Sequence, residues 1–231
     1  MLTRRSFTAF AAVAAVAACS RDPLDVTSRS TIPPSRIPLL PAHYGAIPDE
    51  PHPVPAVPEG VVPERLWRQE VANPWPDLPE GMIVVDPAAG LLYLVQSDGR
   101  ALRYGAGTGA AAFSWTGDAK LQFRRKWPRW TPPDEMVARD PSLEPYSIAN
   151  GGMDAGPGNP LGARALYLFQ NGEDTLYRIH GGCEPQYLGQ QVSSGCIRLL
   201  DQDVIHLHDQ VRDGVPVRVL AAPESHSNRV Y

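Results

Sequence analysis

The sequence predicts a mostly β domain with one main helix placed late in the chain. Short runs of apolar and β-branched residues recur between glycine, proline and asparagine residues, which is typical of strands joined by turns. Residues 201–212 have the one convincing helical spacing of apolar side chains. After an N-terminal proline-rich stretch, about 150 residues remain, which suits one compact domain with its own core.

Two hairpins are predicted from strand-like runs that flank turn residues. Residues 83–85 and 91–95 are rich in isoleucine, valine and leucine, and an Asp-Pro-Ala-Ala-Gly turn separates them. Residues 165–169 and 175–179 form the second pair around the Asn-Gly dipeptide at 171–172. Asn-Gly favours the positive φ angles of a two-residue turn, so these two runs should pair as antiparallel neighbours.

The helix and the last strand close the predicted domain. Residues 201–212 should place one face of the helix on the core, and a glycine follows as a stop. The side chains of that face are Val204, Leu207, His208 and Val211. Residues 215–220 alternate as a strand, and Pro216 predicts an edge position because proline cannot donate to a sheet hydrogen bond.

The start of the chain resembles a bacterial export signal over residues 1–19. Two adjacent arginines precede the apolar run 9–18, which is too short to span a bilayer and is rich in small residues. Residues 3–7 resemble the twin-arginine signal. Cys19 directly follows the run, as in the lipobox of lipoproteins, in which this cysteine is lipidated. An ordinary cleavage site beside an unrelated cysteine is the alternative.

Residues 20–80 are predicted to form a proline-rich arm or linker. Proline is densest between residues 32 and 63, where neither a helix nor a central strand is expected. Such an arm would hold the folded domain, residues 81–221, away from a membrane that carries the lipidated Cys19. Residues 222–231 are left as a C-terminal tail. The net charge of −4 and the lack of a basic run argue against nucleic acid as a partner.

The segment 179–200 brings together the residue types that attack a carbonyl group. His180 ends a predicted strand and can take a proton from a thiol, which Cys196 supplies. Gly195 permits backbone angles that point successive amides to one side, where they would bind an oxyanion. The N-terminus of the following helix would lower the thiol pKa if it faced the sulfur. A cysteine in this position could also be a buried residue without a chemical role.

This segment resembles the signature of the L,D-transpeptidase catalytic (YkuD-type) domain family. The resemblance lies in His180-Gly181 and in the run Ser-Ser-Gly-Cys-Ile-Arg-Leu at 193–199. The first predicted hairpin and the run Gly-Asn-Pro-Leu-Gly at 158–162 resemble supporting parts of the same domain. Together these features cover residues 81–221. The resemblance implies a β-sandwich-like fold.

The resemblance also implies a cysteine acyl transfer on peptidoglycan stem tetrapeptides. Cys196 would attack the carbonyl group of the third stem residue, D-alanine would leave, and a thioester would form. His180 would be the base, and the backbone of Gly181 would help to orient it. Amides of Ser194, Gly195 and Cys196 would bind the oxyanion. An amine of a second stem peptide or of a lipoprotein would resolve the thioester, and no cofactor is implied.

Two other functions stay open at this point. Water as the acceptor would make the protein an L,D-carboxypeptidase, and the fold without catalysis would make it a cell-wall-binding lipoprotein. In each case the protein is expected in the cell envelope, on the periplasmic side, with a lipid anchor on a membrane. No metal is predicted, because the candidate zinc ligands do not form two closely spaced pairs. Those candidates are His180, Cys183, Cys196 and either His206 or His208.

Three positions in the motif have more than one interpretation. Ser194 stands where many family members carry histidine. Arg198 could hold a stem-peptide carboxylate with its planar guanidinium, or could form a structural salt bridge with Asp201 or Asp203. Cys183 could be a buried bystander, a disulfide partner of the nucleophile, or a local feature without consequence.

Overall fold

The computed structural model describes residues 39–109, 116–193 and 195–221. The strands are β1 (Gln69–Ala72), β2 (Ile83–Asp86), β3 (Leu91–Val95), β4 (Arg100–Gly105), β5 (Thr108–Gly109), β6 (Gly117–Lys126), β7 (Arg164–Gln170), β8 (Glu173–His180), β9 (Gln191–Ser193), β10 (Ile197–Arg198) and β11 (Pro216–Val219). The α-helices are α1 (Asp134–Arg139) and α2 (Asp201–Gln210). Short 3₁₀ helices span Ala42–Tyr44, Glu64–Leu66, Pro141–Tyr146 and Pro185–Tyr187.

Nine strands form one mixed sheet in the order β1-β4-β3-β2-β11-β6-β7-β8-β10. The two predicted hairpins are confirmed as the antiparallel pairs β2–β3 and β7–β8. At the β7–β8 turn, Asn171 and Gly172 have φ angles of 52° and 85°, as a two-residue hairpin turn requires. Strand β11 runs parallel to β2, and β10 runs parallel to β8.

The sheet is covered on both sides, which gives the predicted sandwich-like arrangement. Ile83 and Val85 of β2 are buried in the main core together with Val204 and other residues of helix α2. Val84, between the two, is buried in a separate cluster, because successive strand residues point to opposite faces. Helix α2 follows the candidate nucleophile Cys196 in the chain, as predicted. No helix within the described ranges is long and apolar enough to cross a membrane.

The last strand is central, so the edge position predicted from Pro216 is wrong. Strand β11 lies between β2 and β6 and pairs with both. Pro216 is the first residue of the strand, a position where the missing N–H is tolerated because the ladder has only begun.

The predicted arm does not hold for residues 39–80, here called the N-terminal segment. Strand β1 pairs with β4 at the edge of the sheet. Tyr44 and Leu66 are each 1% exposed and share an apolar cluster with Leu188 and Leu200 of the domain. The prolines do exclude long helices, but the apolar residues between them bury enough surface to hold the segment on the domain. Residues 20–38, the signal 1–19 and the tail 222–231 lie outside the described residues.

Buried polar contacts also join the N-terminal segment to the domain. The Tyr44 hydroxyl donates to Asp203 Oδ2 at 3.1 Å and accepts the Arg68 backbone N–H at 2.6 Å. The Glu50 carboxylate accepts two hydrogen bonds from the Arg164 guanidinium, at 2.5 and 2.9 Å. The hydrogen bonding to Arg164 holds the pKa of Glu50 below its ordinary value. Such charge-assisted, two-point contacts fix geometry, so the segment is part of the folded unit.

Candidate active site

Parallel pairing of β8 with β10 brings the two predicted catalytic side chains to one side of the sheet. Ile179 pairs with Ile197, and His180 pairs with Arg198. Both isoleucines are buried in the main core, so alternation places His180, Arg198 and Cys196 on the opposite side. In this register Cys196 is the diagonal neighbour of His180 across the two strands. Diagonal neighbours on one face are within reach of a long or aromatic side chain such as the imidazole.

His180 is buried, and the hydrogen bond at its Nδ1 assigns the tautomer of the ring. Its Nδ1 lies 2.8 Å from the carbonyl oxygen of Gly181. A carbonyl oxygen can only accept, so Nδ1 carries the hydrogen and Nε2 of the neutral ring is left as the basic nitrogen. Burial, together with the charges of Arg198 and Arg178, lowers the pKa of His180 to about 4, against the raising effect of backbone hydrogen bonds to Gly181 and Pro160. The ring is therefore neutral near pH 7 and in the form that a base needs.

Cys196 is half-buried and lines a cavity of about 460 Å³, here called the cysteine cavity. Trp130 and Leu161 contribute apolar walls, and Arg139 and Arg178 contribute charged ones. A concave apolar site with a few charged groups is the usual form of a ligand site, and this volume suits a short peptide.

Burial raises the pKa of the Cys196 thiol above its ordinary value. A hydrogen bond from the Arg178 backbone and the charges of Arg178 and Arg198 act in the opposite direction without reversing the shift. The net shift of the thiol pKa is therefore upward, and a lowering by the N-terminus of helix α2, expected if it faced the sulfur, stays a prediction. With His180 also neutral, the resting pair is a thiol beside an imidazole, and proton transfer has to accompany attack.

The raised thiol pKa predicts slow alkylation of Cys196 at neutral pH. The thiolate is the reactive form, and an unperturbed thiol is half ionised at about pH 8.5. The rate of Cys196 alkylation by iodoacetamide should therefore still be rising above that pH. The measurement is the pH dependence of alkylation, followed by peptide mass spectrometry in a Cys183→Ala background. A midpoint below that of a simple thiol would instead indicate a resting thiolate–imidazolium pair and contradict the neutral pair.

Asp201 is a site residue whose role the sequence did not indicate. Its Oδ1 accepts the backbone N–H groups of Ala163 at 2.8 Å and of Gly182 at 3.1 Å. Gly162 and Gly181 lie so close that a Cβ on either residue would overlap Asp201 Oδ1. The glycines of the motif are thus required by close approach of the chain to this carboxylate.

Asn159 is a second residue that sequence reasoning missed. It is 5% exposed, and its Nδ2 donates to the carbonyl oxygens of Pro128 and Asp154, both at 3.0 Å. Its Oδ1 accepts the Leu161 N–H at 2.9 Å. A polar residue between glycine and proline was the available signal, and the buried amide holds the segment 158–162 in place.

Arg198 does not form the structural salt bridge that was one of its two interpretations. Asp203 instead lies 3.6 Å from Arg68, and within the described residues Arg198 makes no ion pair with Asp201 or Asp203. Its Nε is buried without a hydrogen-bond partner among the described atoms. Arg198 lines a second cavity, of about 520 Å³, together with Asp201. The other interpretation, that Arg198 binds a carboxylate of the stem peptide, stays a prediction.

Cys183 does not form a disulfide with Cys196 in the structure. Its N–H donates to the Leu199 carbonyl at 3.2 Å, and Leu199 follows Cys196 by three extended residues. Neither thiol is oxidised in the structure. Cys183 is buried among Leu188 and other apolar side chains, and burial raises its pKa to about 12, which fits a bystander.

The other predicted site residues are described in part. Gly195 has a φ of 130°, an angle that favours glycine. Ser194 and Cys19 lie outside the described residues, so their predicted roles stay predictions. In the described part of the chain, no group of three or more His, Cys, Asp or Glu side chains is arranged to hold a metal ion.

The fold and the histidine–cysteine arrangement define a β-rich domain with a cysteine site at the end of two parallel strands. The sequence profile of the L,D-transpeptidase catalytic domain (YkuD) matches residues 80–219. The chain belongs to this family.

Individual relatives agree with the family match. The probable L,D-transpeptidase YbiS of Escherichia coli strain K12 is 34% identical over 111 residues, covering 48% of this chain and 33% of YbiS. The probable L,D-transpeptidase ErfK/SrfK of the same strain is 31% identical over 157 residues, covering 64% of this chain and 46% of that protein. The chain thus spans less than half the length of either relative.

One solved structure has a different description. A crystal structure from Brucella melitensis, described as a probable carnitine operon oxidoreductase, is 41% identical and covers 66% of this chain and 91% of that chain, with a TM-score of 0.48. A likeness at this TM-score carries no functional argument, since related folds host unrelated activities.

Proposed function

We propose that the protein is an L,D-transpeptidase that transfers acyl groups of peptidoglycan stem tetrapeptides through a thioester on Cys196. The observation that carries the proposal is the pairing register of β8 with β10. It places Cys196 at a cavity, diagonal to a buried His180 whose Nε2 is the basic nitrogen. Membership of the YkuD family supports the same reaction class.

In the first step, Cys196 attacks the carbonyl carbon of the third stem residue. The thiol proton passes to His180 Nε2 as the sulfur–carbon bond forms. The carbonyl oxygen becomes an oxyanion, and backbone amides of Ser194, Gly195 and Cys196 stabilise it. The neutral resting pair supports a proton transfer that is concerted with attack rather than a preformed thiolate.

In the second step, the tetrahedral intermediate collapses and the carbon–nitrogen bond to D-alanine breaks. His180 returns its proton to the leaving amine, so free D-alanine departs and the thioester remains. The guanidinium of Arg198, which lacks a carboxylate partner among the described residues, holds a carboxylate of the stem peptide.

In the third step, an acceptor resolves the thioester. An amine of a second stem peptide attacks the thioester carbonyl, forms an amide bond and restores the Cys196 thiol. The result is a cross-link or a remodelled stem in the cell wall. A lipoprotein amine is an alternative acceptor, and water would give L,D-carboxypeptidase activity.

Residues at the start of the chain support a location in the cell envelope. The signal-like segment 1–19 and the lipobox-like Cys19 support export and a lipid anchor on a membrane. The substrate is then on the periplasmic side of the cell envelope.

Product analysis with purified disaccharide-tetrapeptides tests the proposed function. The expected products are free D-alanine together with a cross-linked dimer when a second stem peptide is supplied. Free D-alanine with tripeptide alone would indicate the carboxypeptidase. Wild-type protein that binds cell-wall fragments and releases no D-alanine would contradict the enzyme and leave the non-catalytic lipoprotein.

A further inference from the structure

The Asp201 carboxylate bonds the backbone next to His180 and not the ring itself, through the N–H of Gly182. We propose that Asp201 is a positioning residue, which fixes the Gly181 carbonyl so that the His180 ring presents Nε2 to Cys196. This inference rests on the proposed function, because it assigns Asp201 a part in the use of that base. It names the group that holds the base, which neither the motif nor the family match identifies.

The contacts form a short chain from helix α2 to the imidazole. Asp201 is the first residue of the helix, and its Oδ1 accepts the Gly182 N–H at 3.1 Å. Gly182 follows Gly181 directly, so the peptide unit that joins them has its N–H fixed by Asp201 and its carbonyl bound to His180 Nδ1 at 2.8 Å. One planar peptide unit therefore transmits the position of the carboxylate to the ring.

A second set of contacts fixes Asp201 itself and the peptide unit before this one. Asp201 Oδ1 also accepts the Ala163 N–H at 2.8 Å, and the Gly181 N–H donates to the Leu161 and Arg164 carbonyls at 3.0 and 3.1 Å. Gly182 has a φ of 68°, one of several backbone conformations that are open to glycine, so the surrounding contacts have to select it. Loss of the Oδ1 acceptor would free the Gly181–Gly182 peptide, so that the carbonyl no longer selects the Nδ1–H tautomer.

The role of Asp201 is geometric, since one neutral acceptor oxygen would suffice. Burial raises the pKa of the Asp201 carboxyl, with hydrogen bonds from Ala163 and Gly182 acting in the opposite direction. Asparagine keeps an acceptor oxygen at the same place and removes the charge. Alanine removes both, and the comparison of the two variants separates position from charge.

The test compares Asp201→Ala with Asp201→Asn in the full chain. We expect Asp201→Ala to lower kcat for D-alanine release by about 10- to 100-fold with KM changed less than about threefold. Asp201→Asn should stay within about threefold of wild type. Asp209→Ala, which removes an exposed carboxylate from the same helix, is the matched control and should leave kcat unchanged. If Asp201→Ala does not fold, Asp201→Ser, whose hydroxyl is too short for both amides, takes its place.

A second readout does not depend on turnover. Nitrogen NMR of the His180 ring should give the Nδ1–H tautomer in wild type and in Asp201→Asn, and a mixture of tautomers in the alanine variant. Equal loss of kcat in both variants, or an unchanged tautomer in Asp201→Ala, would overturn the positioning role. Absence of D-alanine release from wild type would instead count against the proposed function, while the NMR comparison would still decide the role of Asp201.

Discussion

Replacing Cys196 with alanine is expected to lower the rate of D-alanine release by at least about 10³-fold, because the attacking atom is removed. The Cys183→Ala variant should keep the rate within about twofold. Cys183 is buried, its pKa is raised to about 12, and its backbone lies beside Leu199 rather than beside the nucleophile. The measurement is release of D-alanine from a stem tetrapeptide by both variants under the same conditions.

The paired variants distinguish the two thiols of the motif segment. Both proteins should give the circular dichroism spectrum and melting behaviour of wild type, since neither substitution removes a large side chain. Equal loss of activity in both variants would contradict the assignment of Cys183 as a bystander. Full activity in Cys196→Ala would exclude the cysteine mechanism altogether.

Replacing Tyr44 with alanine is expected to lower the free energy of unfolding by about 3–5 kcal/mol, the range for loss of a buried aromatic ring. Tyr44 is 1% exposed and bonds both Asp203 and Arg68, so its loss leaves a cavity, removes a hydrogen bond to the buried Asp203 carboxylate and leaves the Arg68 backbone N–H without that acceptor. Leu39, in the same segment, is 86% exposed and provides the control. The Leu39→Ala change should stay within about 0.5 kcal/mol.

Urea unfolding of the two variants measures this difference. A Tyr44→Ala protein as stable as wild type would mean that the N-terminal segment is a detachable linker, as the proline content alone suggested. A large loss of stability confined to Tyr44→Ala would place the boundary of the folded unit before the residues that the family profile matches.

Strands with local turn signals were predictable from the sequence. The β2–β3 and β7–β8 hairpins follow from apolar runs and from Asn171-Gly172, which form contacts between near neighbours in the chain. Strand β6, by contrast, is the run GDAKLQFRRK and has a burial pattern dominated by exposed residues, so no apolar alternation reveals it. Its place beside β7 and β11 is set by tertiary pairing, which also makes the Pro216 strand central.

The candidate site was predictable where its chemistry depends on a compact motif. His180 and Cys196 could be singled out because glycines surround both, and the structure places them on one side of the sheet. The roles of Asp201 and Asn159 escaped notice because each side chain bonds backbone groups that only the fold brings together, such as Ala163 with Asp201 and Pro128 with Asn159. The direction of the thiol pKa was also beyond the sequence, because it depends on how deeply the sulfur is buried relative to nearby charges.

Intact-protein mass spectrometry after brief exposure to a stem tetrapeptide tests the central claim most directly. The proposed mechanism predicts an adduct with the mass of the tripeptidyl acyl group, located on Cys196 and released by hydroxylamine, as a thioester should be. The Cys183→Ala protein should form the same adduct and Cys196→Ala should form none. Turnover of tetrapeptide without an adduct in rapidly quenched samples, or an adduct that persists in Cys196→Ala, would contradict acyl transfer through Cys196.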